Sequence, residues 1–378
     1  MAKPDENITM KEAAYSEMAK SYMLASGEDR YYAAARQVMY AGRGDVLRIC
    51  GLSEPPKGFD KYWTQKWLPD YMAEHPEETR LWKVSYDPRG SFVEPHTGRR
   101  IPLGTIAVAQ YLGEMPSSAP SVEICQELFP NCRALHRYRH ILYIEKKGFD
   151  PLFEQTRLES RFDLAIISCE GQSVIAARRL IDTLVGEGHI DNVFTLHDFD
   201  IWGFNIFGAL STDSRRYTFR NQIPLVDIGL RLKDVERLGL KEEGTEVNDE
   251  EYAARETTLL RHGCTQEEIE FLLIRKQRVE LNMMSAPVFI EFLESKLRQY
   301  GCDKKVIPHR EILEQHARVI AEKDEARKAL EDMMPAIRTH VEQMQWPNLY
   351  ADVEQLLKQM PELSWDMAVS EIVTVTNR

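Results

Sequence analysis

Glu145, Asp198 and Asp200 are the acidic side chains best placed to do chemistry in this 378-residue chain. Glu145 closes the apolar run Ile141-Leu142-Tyr143-Ile144. Asp198 and Asp200 flank Phe199 just past the run Asn192-Val193-Phe194-Thr195-Leu196. Carboxylate oxygens suit a hard divalent cation such as Mg²⁺, which keeps several waters and works on phosphates. An Asp-x-Asp at a strand end can turn both carboxylates to one ion, because the chain bends there. Taken alone it is more often a solvated loop or a helix cap. Arg36 and Tyr40 form a second candidate pair. Four residues apart on a helix, they share a face. A guanidinium can grip two phosphate oxygens while a phenolate attacks phosphorus. A phenol titrates near pH ~10, so it needs a base, cation or metal beside it. The plainer reading of Tyr40 is a packed aromatic. Tyr31 and Tyr32 compete with it, but neither follows an arginine by four.

The elements that must position these groups follow from the apolar pattern. Runs at 141–144, 164–168 and 192–196 predict three buried strands, alternating with helices over 151–162, from Gly171-Gln172 to about Val185, and from Trp202. Such alternation implies a parallel, doubly wound sheet, whose chemistry gathers beyond the carboxyl ends of its strands. Upstream, Ser26 and Asp29 suggest a helix start, the run to Tyr40 a helix, and Gly42 and Gly44 its end. Short helices and loops are expected over 54–80 and a small β element over 81–111, with a turn at Asp87-Pro88-Arg89-Gly90 and a helix capped by Thr105. Downstream, 241–251 is acidic and suggests a solvated loop. Thr265 to Met284, Pro287 to Tyr300 and Pro308 to Gln345 look helical.

Composition narrows the classes. Hydrophobic residues make up 43% and charged residues 29%, values that allow a buried core. No apolar run approaches a membrane helix, and the charged N-terminus lacks a signal-peptide core, so a cytoplasmic protein is expected. Six scattered cysteines with no Cys-x-x-Cys exclude a zinc ribbon and suggest free thiols. The net charge of −12 argues against a non-specific nucleic-acid binder. Yet residues 1–150 carry 20 cations and 20 anions against 28 and 40 in the remainder. A phosphate-binding face therefore remains open on the N-terminal part, with Arg137 and Arg139 in the stretch 132–140. His96 and Arg99 could also meet phosphate, although a surface turn explains them equally well. Gly42-Arg43-Gly44 is no phosphate loop, and no ATP-binding motif is visible.

The segments Tyr143-Ile144-Glu145, Ser168 to Gln172 and His197-Asp198-Phe199-Asp200-Ile201-Trp202-Gly203 together resemble a Toprim domain. The form is that of the meiotic double-strand-break transesterase and the related topoisomerase VI A subunit, with Ile201 where proline is typical. Gly229 to Leu240 resembles the segment that follows, and Arg278-Val279-Glu280-Leu281 a later helix of that family. Arg36 to Tyr40 is similar to its Arg-x-x-x-Tyr nucleophile motif, and Arg89-Gly90 to a basic turn ahead of the Toprim domain.

The resemblance implies an α/β plus α protein. It would have an N-terminal winged-helix-like domain (1–135), a central Toprim domain with a Rossmann-like parallel sheet (136–300) and a helical C-terminal extension (301–378). It implies a Mg²⁺-dependent type IIB topoisomerase A-like subunit that cuts double-stranded DNA by tyrosyl transesterification. Tyr40 would attack, Arg36 would position phosphate, and Glu145, Asp198 and Asp200 would hold metal. Arg89, Arg99, Arg137 and Arg139 would contact DNA. A homodimer and a separate GHKL-type ATPase B subunit would be its partners, in the cytoplasm with the nucleoid. The alternatives are a Toprim nuclease acting by hydrolysis, as in plasmid or phage defence, and a DNA-end or partner-binding subunit with a relict metal site.

Overall fold

A computed structural model of the chain describes residues 8–86, 91–93, 100–102, 107, 137–168, 175–188, 190–213, 217–245, 247, 252–303, 306–345, 348–361 and 363–376. The chain divides into two compact units, residues 1–88 with 131–306 and residues 89–130 with 307–378.

The first unit opens with α1 (Met10–Ser26), started by Thr9 and Glu12, whose side chains each accept the other's backbone N–H. Ser26 ends this helix rather than beginning the next, and its hydroxyl accepts the Asp29 N–H in the turn that follows. Helix α2 (Ala35–Ile49) carries both Arg36 and Tyr40 and continues through Gly42 and Gly44, which the sequence suggested as its end. The physical reason is packing. A Cβ on Gly42 would collide with the Ser21 hydroxyl and press on Trp63, so the absent side chain lets α1 and α2 approach closely. Short helical turns follow between Phe59 and Thr79, as expected. Ala33–Ala34 pairs in parallel with Val84–Ser85. The described residues of this region do not show a winged helix.

The centre of the unit is a four-stranded, all-parallel sheet of order β2-β1-β3-β4. Its strands are β1 (His140–Ile144), β2 (Leu164–Ser168), β3 (Asn192–Leu196) and β4 (Leu225–Asp227). The first three were expected. The fourth is too short to stand out as an apolar run. Alternation along β1 feeds two cores. Leu142 and Ile144 pack with Phe149, Phe153 and Phe289, while Ile141 and Tyr143 pack with Ile181, Leu184 and Ile206. The run 151–162 forms two helices, α3 (Asp150–Thr156) and α4 (Leu158–Phe162), split by left-handed Arg157 at φ 50°. Further helices are α5 (Ile175–Gly186), α6 (Ile201–Ser211), α7 (Leu232–Leu238), α8 (Tyr252–Arg261) and α9 (Ala286–Gln299).

Two segments differ from expectation. The stretch Thr265–Met284 is helical only as far as Ile274, and Gln277–Arg278 is extended. It pairs antiparallel with Glu243–Gly244, part of the acidic stretch read as a loop. Tertiary pairing overrides local propensity in both.

The second unit contains a hairpin of Ser91–Val93 with Arg100–Pro102, the β element expected there, and α10 (Arg310–Glu342), α11 (Leu349–Gln359) and α12 (Trp365–Thr376). The turn 87–90, the helix from Thr105, and residues 171–172 lie outside the described residues, as do His96, Arg89 and Arg99. Among the described residues no helix is long and apolar enough to cross a membrane.

Candidate active site

Strands β1 and β3 are neighbours, with Ile144 level with Leu196. Glu145 and His197 are therefore the first residues beyond the two strands, and Asp198 and Asp200 follow at once. The sheet delivers all three acids to one edge. Glu145 is half-buried, and its carboxyl is pushed up by burial and by the neighbouring Asp198 and Asp200 carboxylates. Asp198 is buried. One of its oxygens accepts the Leu281 N–H at 2.8 Å, and the other meets the Lys146 ammonium at 2.7 Å. Asp200 caps α6 by accepting the Gly203 N–H at 2.6 Å, the plainer role open to an Asp-x-Asp. Phe199, between them, turns into the core against Phe204 and Phe271. Its backbone exchanges two hydrogen bonds with Val279, at 2.9 and 3.0 Å.

These oxygen donors are of the type a hard divalent cation prefers, and crowding of like charge on Glu145 is what such a cation relieves. Among the described residues, however, no three His, Cys, Asp or Glu side chains converge as a metal-holding group. Asp198 already has a resident cation in Lys146.

Lys146 also reaches Glu280 at 3.0 Å. Burial pulls its ammonium down, but Asp198 and Glu280 outweigh burial and hold it above the ordinary lysine value. Burial would raise Glu280, yet Lys146, Arg36 and Arg278 bring it to about 2. Arg36 meets Glu280 at 3.0 Å and Arg278 meets it at 3.3 Å.

Arg36, Tyr40 and Arg43 form one stripe along α2, at spacings that keep them on a single face. Tyr40 donates its hydroxyl hydrogen bond to Glu243 Oε2 at 3.1 Å. Arg43 pairs with Glu243 Oε1 and lies 4.9 Å from the Tyr40 ring centroid. Burial and the Glu280 and Glu243 carboxylates push the Tyr40 phenol up, against the opposing pull of Arg36 and Arg43. A cavity of about 930 Å³ opens beside it, lined among others by Arg43, Arg48, Lys241, Arg278 and Glu280.

A continuous polar chain thus runs from Tyr40 through Glu243, Arg278, Glu280 and Lys146 to Asp198. The strip Gln277–Leu281 is its spine. It pairs with Glu243, bridges Phe199 and anchors Asp198. The resemblance made Arg278 to Leu281 part of a helix, and the structure corrects this: extended backbone is what lets one strip serve both ends.

Arg137 and Arg139 lie elsewhere. Both are exposed and precede β1, at the end of the strand opposite Glu145, and Arg139 pairs with Asp191 at 2.7 Å. The structure does not bring them to the carboxylates. Sequence reasoning missed Lys146, Arg43 and Glu243. Arg43 was legible as the residue one turn past Tyr40, and Lys146 as a cation beside a strand-end acid. Glu243 had no local signal, because its role depends on pairing with Gln277–Arg278.

Residues 140–299 match the family of Toprim domains shared by Spo11 and the topoisomerase 6 A subunit, and are a Toprim domain of that type. No curated protein matches the chain.

Proposed function

With a Toprim domain of the topoisomerase 6A/Spo11 type as the premise, we propose that this chain cleaves double-stranded DNA by Mg²⁺-dependent tyrosyl transesterification at Tyr40. The observation that carries this reading is the polar chain linking the Tyr40 hydroxyl to Asp198. It joins a candidate nucleophile to strand-end acids that neither element supplies alone. Glu145, Asp198 and Asp200 would hold the ion, which when bound polarises the scissile phosphate. Tyr40 attacks phosphorus, leaving protein on the 5′ end and a free 3′ hydroxyl. Arg36, whose side chain is 44% exposed, offers its guanidinium to phosphate. A homodimer would cut both strands, and a GHKL-type ATPase would be a further partner. Arg89, Arg99, Arg137 and Arg139 would extend the DNA contact.

Hydrolysis by the same acids is the second reading, favoured by the engagement of the Tyr40 hydroxyl with Glu243. One experiment separates them. The protein is incubated with supercoiled plasmid and Mg²⁺, with and without a candidate ATPase partner, then denatured and assayed for DNA covalently attached to protein. The proposal expects an adduct that is lost in Tyr40→Phe and in Glu145→Gln. Cleavage that survives Tyr40→Phe but not Glu145→Gln establishes hydrolysis instead.

A further inference from the structure

We propose that Glu243 is the general base that takes the phenolic proton of Tyr40 during attack on the scissile phosphate. The inference rests on the tyrosyl reading above and adds a catalytic residue to it.

The geometry is specific. The Tyr40 O–H points at Glu243 Oε2 at 3.1 Å, within the reach a general base needs, so the proton to be removed already lies on the accepting oxygen. The other Glu243 oxygen is held by Arg43, and Arg278 approaches Oε2 at 3.5 Å. The carboxylate is thereby oriented from two elements, α2 and the paired strip Gln277–Arg278. The charged groups facing Tyr40 are Arg36 and Arg43 from its own helix and Glu243 and Glu280 from the opposite side. Among them Glu243 accepts the hydroxyl proton's hydrogen bond, whereas Glu280 is engaged by Lys146, Arg36 and Arg278. Lys241 and Glu242 line the same cavity beside Glu243.

Chemistry requires such a base here. Burial and two carboxylates disfavour a free phenolate at Tyr40, so its proton must leave as the bond to phosphorus forms rather than beforehand. In the step, the Tyr40 Oη–P bond forms and the P–O3′ bond breaks. The phenolic proton passes to Glu243, and the departing 3′ oxygen takes a proton from solvent water. Glu243 then returns its proton to solvent, and the balance closes. Arg43, over the ring and on the base, stabilises negative charge developing on the oxygen.

The test uses the full chain with supercoiled plasmid and Mg²⁺, following covalent adduct formation against pH in wild type, Tyr40→Phe, Glu243→Gln and Glu243→Asp. Glutamine keeps the size and can still accept the hydrogen bond, but it cannot take the proton. Glu243→Gln is expected to slow adduct formation by roughly 10²–10⁴-fold at neutral pH. Its rate should climb about tenfold per pH unit as hydroxide substitutes, while the wild-type rate stays level over the same range. Glu243→Asp should recover part of the loss and the level profile, which a merely structural role would not produce. An adduct that depends on Tyr40 but forms in Glu243→Gln at the wild-type rate and pH profile overturns Glu243 as base and leaves the tyrosyl reading intact. An adduct, or cleavage, that persists in Tyr40→Phe overturns the tyrosyl reading and this proposal with it.

Discussion

Lys146 is the side chain on which the buried part of the site balances. Its ammonium is shared by Asp198 and Glu280, both almost wholly buried, at 2.7 and 3.0 Å. Removing one partner from a buried ionic group costs far more than the group contributes, because the remaining charges have no water to turn to. Lys146→Met is therefore expected to destabilise the protein by about 3–5 kcal/mol in denaturant unfolding, although methionine fills much of the same space. A loss below about 1 kcal/mol would show that solvent reaches these acids. Residues were legible in the sequence where their role is local. Glu145, Asp198 and Asp200 abut apolar runs, and Arg36 and Tyr40 share a helical spacing. Lys146 lay within a basic stretch and Glu243 within an acidic one, and such runs usually mark solvated surface.

At the scale of elements, α2 shows how a glycine can mislead. Gly42 and Gly44 looked like a helix end and are instead interior positions with different surroundings. A Cβ on Gly42 meets Ser21 and Trp63, which are packed and cannot retreat, so Gly42→Ala should cost about 1–3 kcal/mol despite its better helix propensity. A Cβ on Gly44 meets only the terminal Nζ of Lys241, 2.8 Å away on a flexible side chain. Gly44→Ala should be neutral or stabilising by up to about 1 kcal/mol. Urea melts of the two variants should separate them, and equal effects would refute the packing account. The strands β1, β2 and β3 were readable because buried parallel strands are continuous apolar runs. The three-residue β4 and the extended strip Gln277–Leu281 were not, since nothing in their own residues sets them apart from a helix or loop. The same pairing logic explains a close fit around His197. Gly203 and Gly229 each approach its imidazole where a Cβ would collide, so alanine at either position should disturb the Asp198 loop.

For the whole molecule, the acids of the site should govern stability in acid. Glu280 is held at about 2 against an ordinary value of 4.5. A depressed carboxyl stabilises the fold above its unfolded pKa, and that contribution is lost as pH falls through the folded value. The loss should therefore fall between pH 4.5 and about 2 and amount to about 3 kcal/mol. Glu280→Gln should flatten this part of the stability profile, and an unchanged acid limb would contradict the assignment. Divalent cation should act at the same edge. Mg²⁺ that binds the folded chain should raise the melting temperature in proportion to the logarithm of its concentration, and Glu145→Gln should abolish that rise. An identical rise in the variant would place the ion elsewhere.

The strip Gln277–Leu281 leaves the two halves of the site no independence. Because one short run of backbone holds both the acceptor of Tyr40 and the anchor of Asp198, a substitution that suits one will be felt by the other. Paired changes at Glu243 and Asp198 should accordingly fail to add, even though their side chains never touch. Transplanting the acids to another scaffold without the tyrosine would mean severing a thread common to both.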